Sequence, residues 1–204
     1  MIRVLAVDDH PVLREGIAAL VGSEEDMELI GEASNGREAV ALFRECQPDI
    51  TLMDLQMPGM NGIDAIGAIR GEFPEARIIV LTNHPGDVQV SRALRAGARA
   101  YLLKTMLRKE LLETIRAVHA GQKRLSSEVA AAIAEHATES ALSPREIDIL
   151  RLIAAGNTNK EIGTHLSMTE ETVKSHMRNI FSKLGAKDRT HALAIGVKRG
   201  IIDL

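Results

Sequence analysis

Three carboxylates, one hydroxyl and one ammonium stand at the ends of short apolar runs. Asp8 and Asp9 follow Ile2–Val7, Asp54 follows Ile50–Met53, Thr82 follows Arg77–Leu81, and Lys104 follows Ala100–Leu103. If parallel strands bring these ends to one rim, the carboxylates repel one another and are costly to leave unpaired. A hard divalent cation such as Mg2+ relieves that repulsion, and it favours a few carboxylates together with phosphate oxygens. Lys104 supplies a second positive charge for a phosphoryl oxygen. A carboxylate so placed can accept a phosphoryl group, and such transfer depends on positioning and charge neutralisation. An isolated Asp-Asp pair says little; five matched positions at four strand ends say much more.

A second chemistry lies near the other end of the chain. In the segment 170–184, Val173, Met177, Ile180, Phe181 and Leu184 fall on one side of a helix at 100° per residue. Ser175, Arg178, Asn179 and Ser182 take the opposite side, with Lys174 at its border. Such a face fits a DNA major groove, where cations meet phosphates and base edges and short polar chains allow close approach. An ordinary solvated helix has the same pattern, so the surrounding elements must decide.

Around the first set, strand-like runs (2–7, 27–33, 50–53, 77–81, 100–103) alternate with helical patterns (11–21, 36–46, 62–73, 87–96, 109–120). Strict alternation predicts an α/β fold with a doubly wound five-stranded parallel sheet, in which ligands bind at the carboxyl ends of the strands. Asn61-Gly62 reads as a turn and helix start, and Cys46 as a small apolar residue at its helix end. Around the second set, Ser143-Pro144-Arg145-Glu146 and Thr158-Asn159-Lys160-Glu161 are capping boxes, and Thr169 caps the helix that follows. These predict a small all-α domain of four helices containing a helix-turn-helix. Between them, Gly121 to Arg124 breaks the last α/β helix, and an alanine-rich stretch from Ser126 to about Ala137 reads as a short linker helix. The expected division is 1–122, a linker over 123–141, and 142–204.

Charge supports two parts with different partners. Residues 1–122 carry 13 Lys/Arg against 18 Asp/Glu, whereas residues 141–204 carry 10 against 7. The single cysteine excludes a disulfide framework and any Cys-cluster zinc site. No apolar run approaches the roughly 20 residues of a membrane span, and the first apolar stretch runs into Asp8 and Asp9, unlike a secretory signal. Aromatics make up 2% of the chain, too few for base-stacking single-strand or RNA binders.

Residues 1–122 resemble the receiver domain of bacterial two-component response regulators, a flavodoxin-like fold. The likeness rests on Val7-Asp8-Asp9-His10, on the run from Met53-Asp54 through Met57-Pro58-Gly59 to Asn61-Gly62, on Leu81-Thr82, and on Tyr101-Leu102-Leu103-Lys104. It implies that Asp54 is the phosphoacceptor. Asp9, Asp54 and the backbone carbonyl of Gln56 would bind Mg2+, with Asp8 acting through a metal-bound water. Thr82 and Lys104 would bind the phosphoryl group, and Tyr101 would swing inward behind Thr82 in the active state. Gln56, Asn83 and His84 fall where the resemblance puts tuning of phosphoryl lifetime. His10 and His84 themselves read as solvated loop residues, because a Mg2+ site prefers oxygen. Thr105 follows Lys104, where many receivers carry proline.

Residues 143–204 resemble the LuxR-type helix-turn-helix domain of NarL/FixJ response regulators, through Leu142-Ser143-Pro144-Arg145-Glu146, Asn159-Lys160-Glu161-Ile162, Glu171-Thr172-Val173-Lys174-Ser175-His176 and Leu184 to Thr190. The likeness puts Lys174, Ser175 and Arg178 nearest the bases. Lys160, Thr169, Thr172, Asn179 and Lys183 become candidates for positioning the DNA backbone. Gly163 stands where alanine is familiar and is expected to loosen the second helix. Ala192, Ile195 and Gly196 on the fourth helix are candidates for a dimer surface.

Together the likenesses imply a transcription factor of the bacterial cytoplasm, not an enzyme. Its expected partners are a sensor histidine kinase as phosphodonor, double-stranded DNA, a second copy on phosphorylation, and RNA polymerase. Two rivals are a phosphatase with Asp54 as nucleophile, and a DNA-binding or interaction module indifferent to phosphorylation. The phosphatase does not account for the basic helical end, and the intact set of rim residues argues against the second.

Overall fold

A computed structural model describes residues 1–83, 86–105, 108–125, 129–131, 134 and 141–202. The chain divides into two compact units, one holding a sheet and the other the C-terminal helices.

In the first unit, strands β1 (Ile2–Val7), β2 (Met27–Ala33), β3 (Ile50–Asp54), β4 (Ile78–Thr82) and β5 (Ala100–Leu103) alternate with helices α1 (Pro11–Gly22), α2 (Gly36–Cys46), α3 (Gly62–Glu72), α4 (Asp87–Ala96) and α5 (Arg108–His119). The strands are rich in Val, Ile and Leu, and β3 and β4 are buried throughout, as parallel strands covered on both faces must be. The sheet order is β2-β1-β3-β4-β5-β6, and every pairing is parallel. The sixth strand, β6 (Arg124–Leu125), corrects the five-stranded expectation. Two exposed residues after a helix-ending glycine carry no alternation, so only pairing with Ala100 and Tyr101 reveals them. The linker helix expected over 126–137 falls mostly outside the described residues; residues 129–131 are helical, and Val129 is buried.

One face of the sheet supports a core of Val4, Ala6, Ile50, Leu52, Ile79 and Leu102 packed against Ile17 and Val21 of α1 and Leu112 and Ile115 of α5. Arg116 fastens α5 to the turn before β2 through Glu24 and Asp26, both at 2.7 Å. Helices α2 and α3 pack on each other, and the Phe43 and Phe73 rings meet with centroids 5.1 Å apart.

The second unit holds α6 (Pro144–Ala154), α7 (Asn159–Leu166), α8 (Glu170–Leu184) and α9 (Arg189–Lys198). Their starts follow the sequence signals. Ser143 and Thr158 form complete capping boxes, and the Thr169 and Asp188 side chains accept from Thr172 N and His191 N. The core gathers Ile149, Leu150, Ile162, Val173, Met177 and Ile180. Gly163 does not loosen α7. A Cβ there would lie 2.7 Å from the Met168 carbonyl oxygen, so glycine lets the turn before α8 close against α7. Among the described residues, no helix is long and apolar enough to cross a membrane.

Candidate functional site

Because β1, β3, β4 and β5 run parallel, their carboxyl ends share one rim. Register matches Val7 with Met53, Asp54 with Leu81 and Thr82 with Leu103, so the polar residues stand at one level. Lys104 continues the ladder one step, donating its N–H to the Thr82 carbonyl at 2.7 Å. Its ammonium lies 2.6 Å from Asp8 Oδ2 and 2.8 Å from Asp54 Oδ2. Asp8 and Asp54 are buried, at 1% and 2% exposure. Asp9, beside them, is half-buried.

The electrostatics follow from two buried carboxylates sharing one ammonium. Burial pushes the Asp54 carboxyl above its ordinary range, Lys104 offsets this only in part, and the Asp8 charge adds to the rise. Burial also works against the Lys104 charge, but hydrogen bonds to Asp54 and Asp8 outweigh it and hold the ammonium above its usual range. The rim is therefore short of positive charge. Asp8 Oδ2 is held by the Lys104 ammonium, whereas the shielded Asp9 Oδ1 touches the His10 ring without a hydrogen-bonding partner. Such oxygens fit a divalent cation, and one donor atom each from Asp8, Asp9, His10 and Asp54 lies within 4.8 Å of the others.

The loop after β3 is shaped by one close approach. Gly62 donates to the Leu55 carbonyl at 3.0 Å, and a Cβ on it would lie 2.0 Å from the Asp54 carbonyl oxygen. The Gln56 N–H points to Asp54 Oδ1 at 3.3 Å. The Gln56 and Asn83 side chains are exposed, and His84 lies outside the described residues. On the opposite face of the sheet, Thr82 and Tyr101 are buried and share a hydrogen bond. Tyr101 thus sits inward, and burial raises its hydroxyl above the ordinary range.

The sequence reading takes His10 as a solvated loop residue and does not single out Arg14. The His10 ring is not directed to solvent alone, since its Nδ1 stands 2.8 Å from Asp9 Oδ1 and 3.2 Å from Asp8 Oδ1. Arg14 donates to the Asp8 carbonyl at 2.6 Å and faces Glu32 at 3.4 Å, tying α1 to the end of β1. Its place one turn into an amphipathic helix gave no signal of this.

In the helical unit, α8 buries Val173, Met177, Ile180 and Leu184 and leaves Lys174, Ser175, Arg178, Asn179 and Ser182 exposed. Lys160, Thr169 and Thr172 are also exposed. Lys174 pairs along its own helix with Glu170 at 3.1 Å and Glu171 at 3.9 Å. Lys187 and Arg189 line a groove beside Lys174 and Arg178, adding cations that the helical pattern alone did not select. Arg189 also fastens α9 to α7 through Asn159 Oδ1 and the Asn157 carbonyl.

One expectation needs correction, and another candidate is already engaged. Lys183, half-buried, is turned to Glu146 at 2.7 Å and to the Ala141 carbonyl at 3.3 Å, so its ammonium has partners within its own unit. Ala192 and Gly196 are buried, and a Cβ on Gly196 would lie 2.8 Å from Leu150 Cδ2. That side of α9 closes the unit's own core, leaving only half-buried Ile195 of the candidate dimer surface. Small residues on a helix mark close approach, and here the close neighbour is α6.

Residues 4–116 match the response regulator receiver domain family. The chain belongs to the response regulators. This response regulator also matches the LuxR family of bacterial regulatory proteins over residues 140–195. It is 45% identical to the transcriptional regulatory protein LiaR of Bacillus subtilis over 211 residues, covering all of both chains. It is 37% identical to the response regulator protein VraR of Staphylococcus aureus, covering 98% of this chain and 99% of VraR. Among solved structures it resembles RcsB of Salmonella enterica serovar Typhimurium bound to a promoter in the presence of a phosphomimetic. That match has a TM-score of 0.75 and 27% identity, covering 95% of this chain and 97% of RcsB.

Proposed function

We propose that this response regulator is a DNA-binding transcription factor switched by phosphorylation of Asp54. The observation that carries the reading is the Asp54 carboxylate, buried and 2.8 Å from the Lys104 ammonium, beside two further aspartates on one rim. In the same chain, a capped helix exposes Lys174, Ser175 and Arg178. The receiver comprises 1–122, the connector 123–141 and the DNA-binding domain 142–204.

Asp8, Asp9, Asp54 and the Gln56 carbonyl would hold Mg2+, which supplies charge neutralisation for an incoming phosphoryl group. The Asp54 carboxylate oxygen attacks the phosphorus of a phosphohistidine on a sensor kinase. The P–N bond breaks, the imidazole takes a proton, and Asp54 carries an acyl phosphate. Lys104 then moves from carboxylate oxygen to phosphoryl oxygen, and the Thr82 hydroxyl turns toward the same group. Because Tyr101 shares a hydrogen bond with Thr82, movement of one is felt by the other. Water later returns the carboxylate and inorganic phosphate at a rate tuned by Gln56, Asn83 and His84. Beyond this slow self-dephosphorylation the protein is not an enzyme.

Phosphorylation favours a dimer, which presents two α8 helices to two half-sites and converts two weak contacts into a bivalent one. Support comes from RcsB, solved as dimers bound to DNA. Lys174, Ser175 and Arg178 read bases, while Lys160, Thr169, Thr172 and Asn179 position the phosphate backbone. RNA polymerase is the downstream partner, and the bacterial cytoplasm is the compartment. Radiolabelled acetyl phosphate tests the reading: Mg2+-dependent, hydroxylamine-labile label on the wild type and none on Asp54→Asn. Selection of random duplexes with the phosphorylated chain should then enrich paired half-sites. Failure to label under any phosphodonor overturns the switch.

A further inference from the structure

We propose that Gly36, at the start of α2, is a positioning residue for Asp54 and the Gln56 carbonyl, acting through a chain of backbone hydrogen bonds that ends on the Asp54 carboxylate. The proposal rests on the reading of these two groups as Mg2+ ligands. The first N–H groups of a helix have no partner within it. In α2 the Asn35 side chain accepts from Arg37 N and Glu38 N, both at 3.1 Å, which leaves the Gly36 N–H for a partner outside. It donates to the Met60 carbonyl at 3.1 Å, in the loop after β3. Only glycine permits this approach. A Cβ at position 36 would lie 2.5 Å from the Met60 carbonyl oxygen, 2.7 Å from Met60 Cγ and 3.1 Å from Ala65 Cβ. Gly36 is not among the residues of positive φ, so the requirement is for space and not for backbone freedom.

From Met60 the chain runs inward. Asn61 follows and caps α3, its side chain accepting from Asp64 N at 2.9 Å. Gly62 then donates to the Leu55 carbonyl at 3.0 Å. That carbonyl shares a peptide group with the Gln56 N–H, which points to Asp54 Oδ1 at 3.3 Å. Leu55 and Met57 are buried on either side of Gln56, and Pro58 fixes one torsion of the loop beyond them. A loop so restrained has little slack, so a push on Met60 reaches the Leu55–Gln56 peptide and the Asp54 carboxylate together. Groups that orient a metal ligand without touching the metal control affinity strongly.

Mg2+ is the probe, with the unphosphorylated full-length chain. Calorimetric titration should give a Mg2+ affinity about tenfold lower in Gly36→Ala, and within about twofold of wild type in Val21→Ala, which lowers stability through the core beneath α1. A second readout needs no variant and decides the matter alone where Gly36→Ala does not fold. Coupling between sites is reciprocal, so Mg2+ should slow amide hydrogen exchange at Gly36 as well as at Gly62 in the wild type. Wild-type Mg2+ affinity in Gly36→Ala, an equal loss in Val21→Ala, or exchange at Gly36 indifferent to Mg2+ overturns the role of Gly36 and leaves the cation site standing. Failure of the wild type to bind Mg2+ at all overturns both.

Discussion

The Lys104 ammonium meets the Asp54 carboxylate at 2.8 Å across 50 residues of sequence. The same nitrogen reaches Asp8 at 2.6 Å, so one cation holds two buried anions at the end of the sheet. Two buried carboxylates on one ammonium leave negative charge in excess, which added positive charge would relax.

Removing the lysine should expose the cost of that arrangement. Lys104→Met leaves two buried carboxylates facing each other, and breaking a buried pair from one side costs about 3–5 kcal/mol. Urea denaturation in chelator should show a loss of about 3 kcal/mol that Mg2+ partly restores. Unchanged stability in chelator would falsify the assignment of Lys104 as their counter-ion.

Removing the buried acid should act in the opposite sense. The native state holds the Asp54 carboxyl above its unfolded value of 3.8, so it favours the protonated form. Its contribution to stability is fullest below the unfolded value and is lost as pH rises through the raised native value. Metal-free Asp54→Asn should therefore melt higher than wild type at pH 7, by about 2–8 °C for a gain near 1 kcal/mol, and the gain should shrink as pH falls toward 4. An equal gain at both pH values would contradict this cause.

Gly62 tests the geometry of the loop after β3. A methyl group there meets the Asp54 carbonyl at 2.0 Å, against backbone that cannot step aside. Gly62→Ala should cost about 1–3 kcal/mol, as overpacking does. It should also slow labelling of Asp54 by a small phosphodonor more than Gly67→Ala, where a Cβ meets nothing within 4 Å. Equal behaviour of the two variants is the contrary result.

Lys183 and Arg178 should separate stability from DNA affinity. Burial opposes the Glu146 charge, but hydrogen bonds from Lys183 and Ser143 outweigh it and hold the carboxyl below its usual range. That stabilisation is present above the unfolded value of 4.5 and is lost as pH falls through the depressed native value. Lys183→Met should lower the stability of the helical unit by about 1–3 kcal/mol at pH 7, the cost of stranding a buried hydrogen-bonded charge, with no change in the salt slope of DNA binding. Arg178→Ala should leave the melting point alone and weaken operator binding by about 1–3 kcal/mol. A flattened salt slope in Lys183→Met would place it at the DNA interface.

The residue pattern was enough to place the rim. Parallel strands joined by helices must bring their carboxyl ends to one side, so Asp8, Asp54, Thr82 and Lys104 converge wherever the alternation is regular. The starts of the last four helices were equally legible, since caps such as Ser143 and Thr158 bond within three residues of themselves. Tertiary packing alone decided which way individual side chains turned. Strand β6 exists only through its neighbour β5. His10 turns to two aspartates that periodicity could not aim it at, and Lys183 turns inward to an anion 37 residues away. Apolar residues surround α9, so no face of it announced that Ala192 and Gly196 would close on α6. Local bonds and strand direction are written in short stretches of chain, whereas the partner of a long side chain or a small-residue face depends on whichever distant element arrives beside it.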